Sequence, residues 1–330
     1  MGPLSIPYSR YLVGPLPWYS FLIILGAALA VILAVKEEKR LHLPKDTIID
    51  LALYAIPFGI LGARIYYVLF SWDSFKDHPL SVLRIWEGGI AIYGAVIAGF
   101  IVILVFCRIR RLPILSVCDA VVPGLALAQC IGRWGNYFNM EAYGLPLHSA
   151  SLCFFPLAVQ IPSGEGSSWH MASFFYESLL NLGIFLFLWN IGRRKFRRRG
   201  DSFFFYLFLY GAGRLVIEET RMDSLYSSGI RISQLLSAVL CLFVLIRYAV
   251  MAVREGRLFG FSGWTVLLAG MLGGLCNIIW SLWGHLWEPV PYLIRLGLPA
   301  AASLIMTLSF FGIYFCHGGK ENADNQNQKP

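Results

Sequence analysis

The segment GRWGNYFNMEAYG, residues 132–144, gathers anion-binding groups inside an otherwise apolar chain. Arg133 can fork two parallel hydrogen bonds to a phosphate. Asn136 and Asn139 add amide donors and acceptors, and Glu141 adds a carboxylate. Gly132, Gly135 and Gly144 permit close backbone approach or positive φ. A second arginine, Arg214, stands in YGAGRLVIEETR with Glu218 four residues on, so the two share a helix face, and Arg221 follows three residues later. Arg before Glu is the weaker order for a helix pair, so a local salt bridge explains little of this pattern. Two guanidinium groups at one depth suit a phospholipid headgroup. The plainer alternatives are an interior ion pair that fixes helix packing, and a glycine-rich helix end with capping polar groups.

Arg64, Glu87, Asp119, Glu177 and Glu219 complete the set of charges in or beside apolar runs. Each costs about 2.5–3.5 kcal/mol at the centre of a spanning helix, so such residues have a task and a partner. Most fall near the outer ends of their spans, and Asp119 lies nearer the inner side. In EGGIAIYGAVIAG, residues 87–99, small residues allow close helix packing. Tyr93 sits near the outer end of that run, where an interfacial belt tyrosine is common.

The elements that position these residues are membrane helices. Of 330 residues 57% are hydrophobic and only 14% charged, with a mean hydropathy of +0.64. Soluble domains carry about 25% charge. A span needs roughly 20 apolar residues, which leaves room for about eight to ten. The pattern predicts spans at about 18–35, 47–70, 90–107, 114–131, 173–191, 202–220, 230–253, 263–283 and 293–316. The fold class is therefore all-α: a polytopic helical integral membrane protein of about nine transmembrane helices with a small extracytoplasmic cap. The run 114–131 is the weakest, because Asp119, Pro123 and Gln129 interrupt it.

Of the 27 Lys and Arg residues, 18 fall in the loops after spans 1, 3, 5 and 7 and in the tail, and 7 on the opposite side. The asymmetry puts the N-terminus outside and the C-terminus in the cytoplasm. The first span lacks a basic upstream flank and reads as a retained anchor. The expected divisions are an outer segment at 1–17, a helical core at 18–253 with an outer cap at 132–172, two further spans within 254–316, and a disordered cytoplasmic tail at 317–330.

The net charge of +8 comes from these loop clusters, and no helix-turn-helix or RNP-type motif accompanies it, so nucleic acid is not an expected partner. The seven cysteines form no CxxC pair; only Cys153 falls in an outer loop, and the others, Cys316 among them, read as small buried apolar residues. The six histidines show no HExxH. Neither a metal site nor a cofactor is expected.

At these residues the chain resembles the bacterial prolipoprotein diacylglyceryl transferases. GRWGNYFNMEAYG looks like that family's signature, G-R-x-G-N-F-x-N-x-E-x-x-G. WYSFLIILG, LGARIYYVLF, WEGGIAIYGAVIAG, YES at 176–178 and GAGRLVIEETRMDS match in family order, together covering about residues 15–250. The resemblance implies a bacterial cell-membrane enzyme that moves the diacylglyceryl group of phosphatidylglycerol onto the lipobox cysteine of a preprolipoprotein, forming a thioether and releasing glycerol phosphate. Its partners would be that lipid, lipobox peptides and the bilayer. By motif, Arg133 and Arg214 would bind the lipid phosphate, with Arg64 and Asn139 counted among the lipid-binding groups. Asn136, Glu141, Gly144 and Glu218 would shape the site, and Tyr19 would match the family's N-terminal tyrosine.

Three departures accompany the resemblance. Many members carry a histidine, proposed as the base, where this chain has Tyr93. The family's H-P-x-x-x-Y-E reads MASFFYE, so Met171 and Ala172 replace its His and Pro, and His170 stands one residue early. Two apolar spans follow the usual seven. A free thiol, pKa about 8.5, is only slightly ionised at neutral pH and needs a base or a stabilising charge. Tyr93, Glu141 and Glu218 all remain candidates for the base. Other readings are a lipid or solute transporter, a structural or receptor-like protein with charges as packing glue, and an inactive family member.

Overall fold

The computed structural model describes residues 10–85, 88–163, 166–196, 198–222, 226–227, 230–256, 261–283 and 292–315. Glu87, Cys316, the first nine residues and the 317–330 tail lie outside the described residues. Among the described residues the long helices are α1 Trp18–Arg40, α2 Thr47–Phe70, α3 Ile92–Arg110, α4 Ile114–Asn139, α5 Ser173–Lys195, α6 Asp201–Ile217, α7 Ile232–Arg254, α8 Phe261–Trp283 and α9 Tyr292–Phe315. Eight of them are long and apolar enough to cross a membrane. The other, α6, has 17 residues and continues into a 3-10 turn, Glu218–Thr220, which brings it to about 30 Å. Helix α5 carries a π-helical stretch at Phe187–Gly192. An antiparallel hairpin, β1 Ala158–Ser163 with β2 Gly166–Met171, precedes α5. The helical membrane architecture expected from the sequence is the architecture observed.

One boundary differs in a way that matters. Helix α4 does not stop near 131 but runs through GRWGNYFN to Asn139. Arg133, Asn136 and Asn139 therefore stand on its last turns rather than in a loop. Its polar interruptions are all paired: Asp119 accepts from the N–H of Gly200 at 2.6 Å and of Phe203 at 2.9 Å, capping the start of α6, and Gln129 accepts from the Tyr206 hydroxyl at 2.9 Å.

The chain divides into two compact units. The first comprises Gly26–Ala128 and Leu188–Phe203. Within it α2 and α3 meet backbone to backbone: a Cβ on Gly62 would lie 2.8 Å from the Gly94 carbonyl oxygen, and one on Gly94 would lie 2.5 Å from Tyr66 Cβ. Gly124 meets Ala30 in the same way, its notional Cβ 2.5 Å from the Ala30 carbonyl oxygen. Leu53, Leu69, Phe70, Ile92 and Ile109 are each more than half exposed, an apolar surface suited to lipid. The lysine- and arginine-rich ends hold their own carboxylates. Glu38 accepts from the N–H of Asp46 and Ile48 at the start of α2, and Glu37 pairs with Arg40 at 2.6 Å and Arg193 at 2.8 Å.

Arg64 belongs to this unit, where its guanidinium is engaged by backbone carbonyls. Its Nε donates to the Val82 carbonyl at 2.8 Å, Nη1 to Gly88 and Gly89 at 2.7 and 2.8 Å, and Nη2 to Ser81 and Arg84 at 2.8 and 3.3 Å. Every donor of the guanidinium is committed to a loop carbonyl, so Arg64 fixes the segment leading to Tyr93 rather than offering itself to a phosphate. A lysine has three donors and leaves at least two of these carbonyls unpaired. Arg64→Lys should therefore lower stability by about 2 kcal/mol, read as the unfolding midpoint of the purified protein.

The second unit comprises Met1–Leu25, Gln129–Phe187 and Phe204–Pro330. Its core is aromatic: Phe205, Phe208 and Phe310 are fully buried, with Phe208 stacked on Phe310 at 4.1 Å between centroids. Glycines bring α8 close to α9, as at Gly273, whose notional Cβ would be 2.7 Å from the Ala302 carbonyl oxygen. Val159, Ala172 and Phe174 pack with Trp134, Tyr137 and Ile161, which seats the hairpin on the end of α4.

Candidate active site

Helix α4 keeps its shape through the signature because its glycines are contact points. A Cβ on Gly135 would be 2.7 Å from the Tyr19 ring, so only glycine lets that ring lie on the helix backbone. The helix then ends in a Schellman turn. Met140, at φ 56°, donates its N–H to the Tyr137 carbonyl, and Glu141 donates to that of Asn136 at 2.9 Å. Ala142 repeats the left-handed backbone at φ 55°, and two such non-glycine residues so close together store strain.

The chain turns back at Gly144. Its N–H donates to the Met171 carbonyl at 2.8 Å, and Leu145 donates to that of Thr220 at 2.9 Å. A Cβ on Gly144 would be 2.5 Å from Ser173 Oγ and 2.7 Å from Met171 Cβ. Gly144 is thus enclosed by the chain itself and ties three segments of the site together. Gly144→Ala should overpack this junction and lower stability by about 1–3 kcal/mol, measured by thermal unfolding. His170 is committed to the same junction, with Nδ1 2.9 Å from the Gly144 carbonyl oxygen and Nε2 2.9 Å from Ser168 Oγ.

What this scaffold positions is a buried charge cluster around Glu177, which is 3% exposed. Its Oε2 pairs with Nε of Arg133, and its Oε1 pairs with Nη1 of Arg214 and, at 3.0 Å, with Nη1 of Arg221. Arg214 also reaches Glu218 Oε2 with Nη2 at 2.7 Å. The arginines come from three places, the last turns of α4, the end of α6 and the residue after its 3-10 turn. Arg133, Arg214 and Glu218, singled out in the sequence, are therefore brought together. Glu177 was visible as an intramembrane charge in the YES motif but carried no assigned role. Nothing local reveals it as the hub, because its partners lie 37 to 44 residues away. Asn136 and Asn139 stand on the same end of α4, and among the described residues Oδ1 of Asn139 is buried without a hydrogen-bond partner. Tyr93, in the first turn of α3, belongs to the other unit, its ring 6.2 Å from that of Tyr66.

A buried carboxylate thus gathers three guanidinium groups, with positive charge in excess. The family that uses it follows from comparison. The family model described as prolipoprotein diacylglyceryl transferase matches residues 10–250. The chain belongs to that family. Like the rest of the prolipoprotein diacylglyceryl transferases, it is a transferase of lipoprotein biosynthesis in a multi-pass membrane fold. Phosphatidylglycerol–prolipoprotein diacylglyceryl transferase of Streptococcus suis is 46% identical over 245 residues, which is 73% of this chain and 89% of the relative. The enzyme of the same name from Limosilactobacillus reuteri is 44% identical over 236 residues, 69% and 84% of the two chains. That from Streptococcus equi subsp. equi is 43% identical over 248 residues, 74% and 91%. Every residue of the Glu177 cluster falls inside the stretch matched by the diacylglyceryl transferase model, and α8 and α9 fall outside it.

Proposed function

We propose that this transferase moves the diacylglyceryl group of phosphatidylglycerol onto the lipobox cysteine of a preprolipoprotein, with Arg133 and Arg214 holding the lipid phosphate. The observation that carries the reading is the convergence of guanidinium groups on Glu177. Arg133, Arg214, Arg221, Glu177 and Glu218 bring three positive and two negative charges, and a phosphodiester monoanion balances the excess. Arg133 meets Glu177 through Nε, and its guanidinium carries five N–H donors in all, so one shared carboxylate does not exhaust it. Asn136 and Asn139 supply amides for the glycerol headgroup. The excess of Lys and Arg at the other helix ends supports an outer-leaflet site, with the N-terminus outside and the C-terminus in the cytoplasm.

The substrate's sulfur attacks the glyceryl carbon that bears the phosphate oxygen. A C–S bond forms, the C–O bond breaks, and its electron pair passes to the phosphate, which leaves as glycerol phosphate. The thiol proton goes to a base. During this step the phosphate changes from a monoanion toward a dianion. Fixed arginines therefore bind the transition state more strongly than the lipid, which is the condition for catalysis. Glu218, held by Arg214, orients the guanidinium, and Tyr93 or Glu141 takes the proton. Tyr93→Phe should slow transfer more than about tenfold if its hydroxyl takes part, measured as initial rate. An unchanged rate makes it a belt residue and leaves Glu141. The activity itself is tested with purified protein, phosphatidylglycerol vesicles and a lipobox peptide, read as a mass gain on cysteine. A peptide with Cys changed to Ser should gain nothing, and phosphatidylcholine vesicles should not support transfer.

A further inference from the structure

Glu219, next to the Glu218 that orients Arg214, is 2% exposed and gathers an ion pair and two hydrogen bonds on one oxygen. Arg231 pairs with Oε1 through Nη1, Gln234 donates to it at 2.8 Å, and the indole N–H of Trp280 donates to it at 2.7 Å. Gln234 also donates to the carbonyl of Leu215, the residue after Arg214, at 3.0 Å. The first two donors lie at the start of α7. Trp280 comes from α8, beyond the stretch that the family model matches. We infer that Trp280 is a positioning residue: the added helix pair α8–α9 presses its indole donor onto Glu219 and so fixes the helix end that aims Arg214 at the phosphate.

The packing that delivers the indole is specific. Gly273 and Gly274, two turns before Trp280, bring α8 onto α9 and α7, since a Cβ on Gly274 would collide with the Leu242 side chain. Asn277, 1% exposed, donates to the Gly273 carbonyl at 3.0 Å, and Ser281 donates to the Asn277 carbonyl at 2.7 Å. A hydrogen bond to a buried carboxylate is among the stronger ones in a protein, and its acceptor sits one residue from an active-site carboxylate.

This inference rests on the reading of Arg214 as a phosphate ligand. The test uses the full chain and the transfer assay, with Trp280→Phe, Glu219→Gln, the double variant, and Trp264→Phe as a control on the lipid-exposed side of the same helix. Trp280→Phe keeps an aromatic side chain and removes the N–H donor together with the fused pyrrole ring, so the comparison with Glu219→Gln and the double variant isolates the hydrogen bond. Trp280→Phe should lower kcat about fivefold while changing KM for phosphatidylglycerol less than about twofold, and Trp264→Phe should match wild type. In the double variant the loss should be no greater than in Glu219→Gln alone, because the two changes remove one interaction. An unchanged kcat in Trp280→Phe overturns the inference, as does a double variant whose losses multiply. Wild type that transfers nothing overturns the parent reading together with this one, whereas active wild type beside an equally active Trp280→Phe overturns only this one.

Discussion

Arg133→Lys removes most transfer, with kcat/KM falling about a hundredfold or more in the vesicle and peptide assay. Arg133 reaches Glu177 through Nε, and a guanidinium has further N–H donors with which to grip a phosphate. A lysine keeps the charge but has one nitrogen, so it satisfies either Glu177 or the lipid. Losing one preorganised donor to a developing oxyanion costs about 2.7–4 kcal/mol, which corresponds to a rate loss of a hundredfold to a thousandfold. The comparison with Arg133→Ala separates charge from geometry. If Lys matches wild type, the fork has no part in catalysis.

Glu177→Gln has an effect of similar size through a different route. Glu177 is the shared partner of Arg133, Arg214 and Arg221, two of which have side chains no more than 15% exposed. Removing its charge leaves like charges facing one another where water screens them poorly, at a cost of about 3–5 kcal/mol. The folded protein should unfold at a markedly lower temperature. An anionic lipid then takes the place of the lost carboxylate. Phosphatidylglycerol added to the detergent solution should therefore raise the unfolding midpoint of Glu177→Gln more than that of wild type, and phosphatidylcholine should raise neither selectively. Equal shifts in both proteins would show that lipid does not enter the cluster. Transfer by Glu177→Gln should be strongly reduced even below its melting temperature, because the arginines lose the group that aligns them.

The sequence made some of this site legible and hid the rest for identifiable reasons. Arg214 and Glu218 are four residues apart, so helical periodicity alone puts them side by side, and the structure joins them at 2.7 Å. Glu177 is joined only by contacts from distant segments, and no local pattern encodes them. The end of α4 was misplaced because Gly132 and Gly135 read as a helix end. In the structure they serve α1 packing, with notional Cβ atoms 3.2 Å from Ile23 and 2.7 Å from Tyr19. Asp119 and Gln129 weakened the expected fourth span because their partners, the start of α6 and Tyr206, are about 80 residues on. Arg64 stands out in the sequence because an arginine within an apolar span demands acceptors. The acceptors are carbonyls of an irregular segment, which a sequence does not announce.

A structure of the protein bound to phosphatidylglycerol measures the central claim directly. One phosphate should lie with its oxygens within about 3 Å of guanidinium nitrogens of both Arg133 and Arg214, its headgroup beside Asn136 and Asn139. A phosphate held by only one of these arginines, or bound elsewhere while both stay closed on Glu177, would contradict the account.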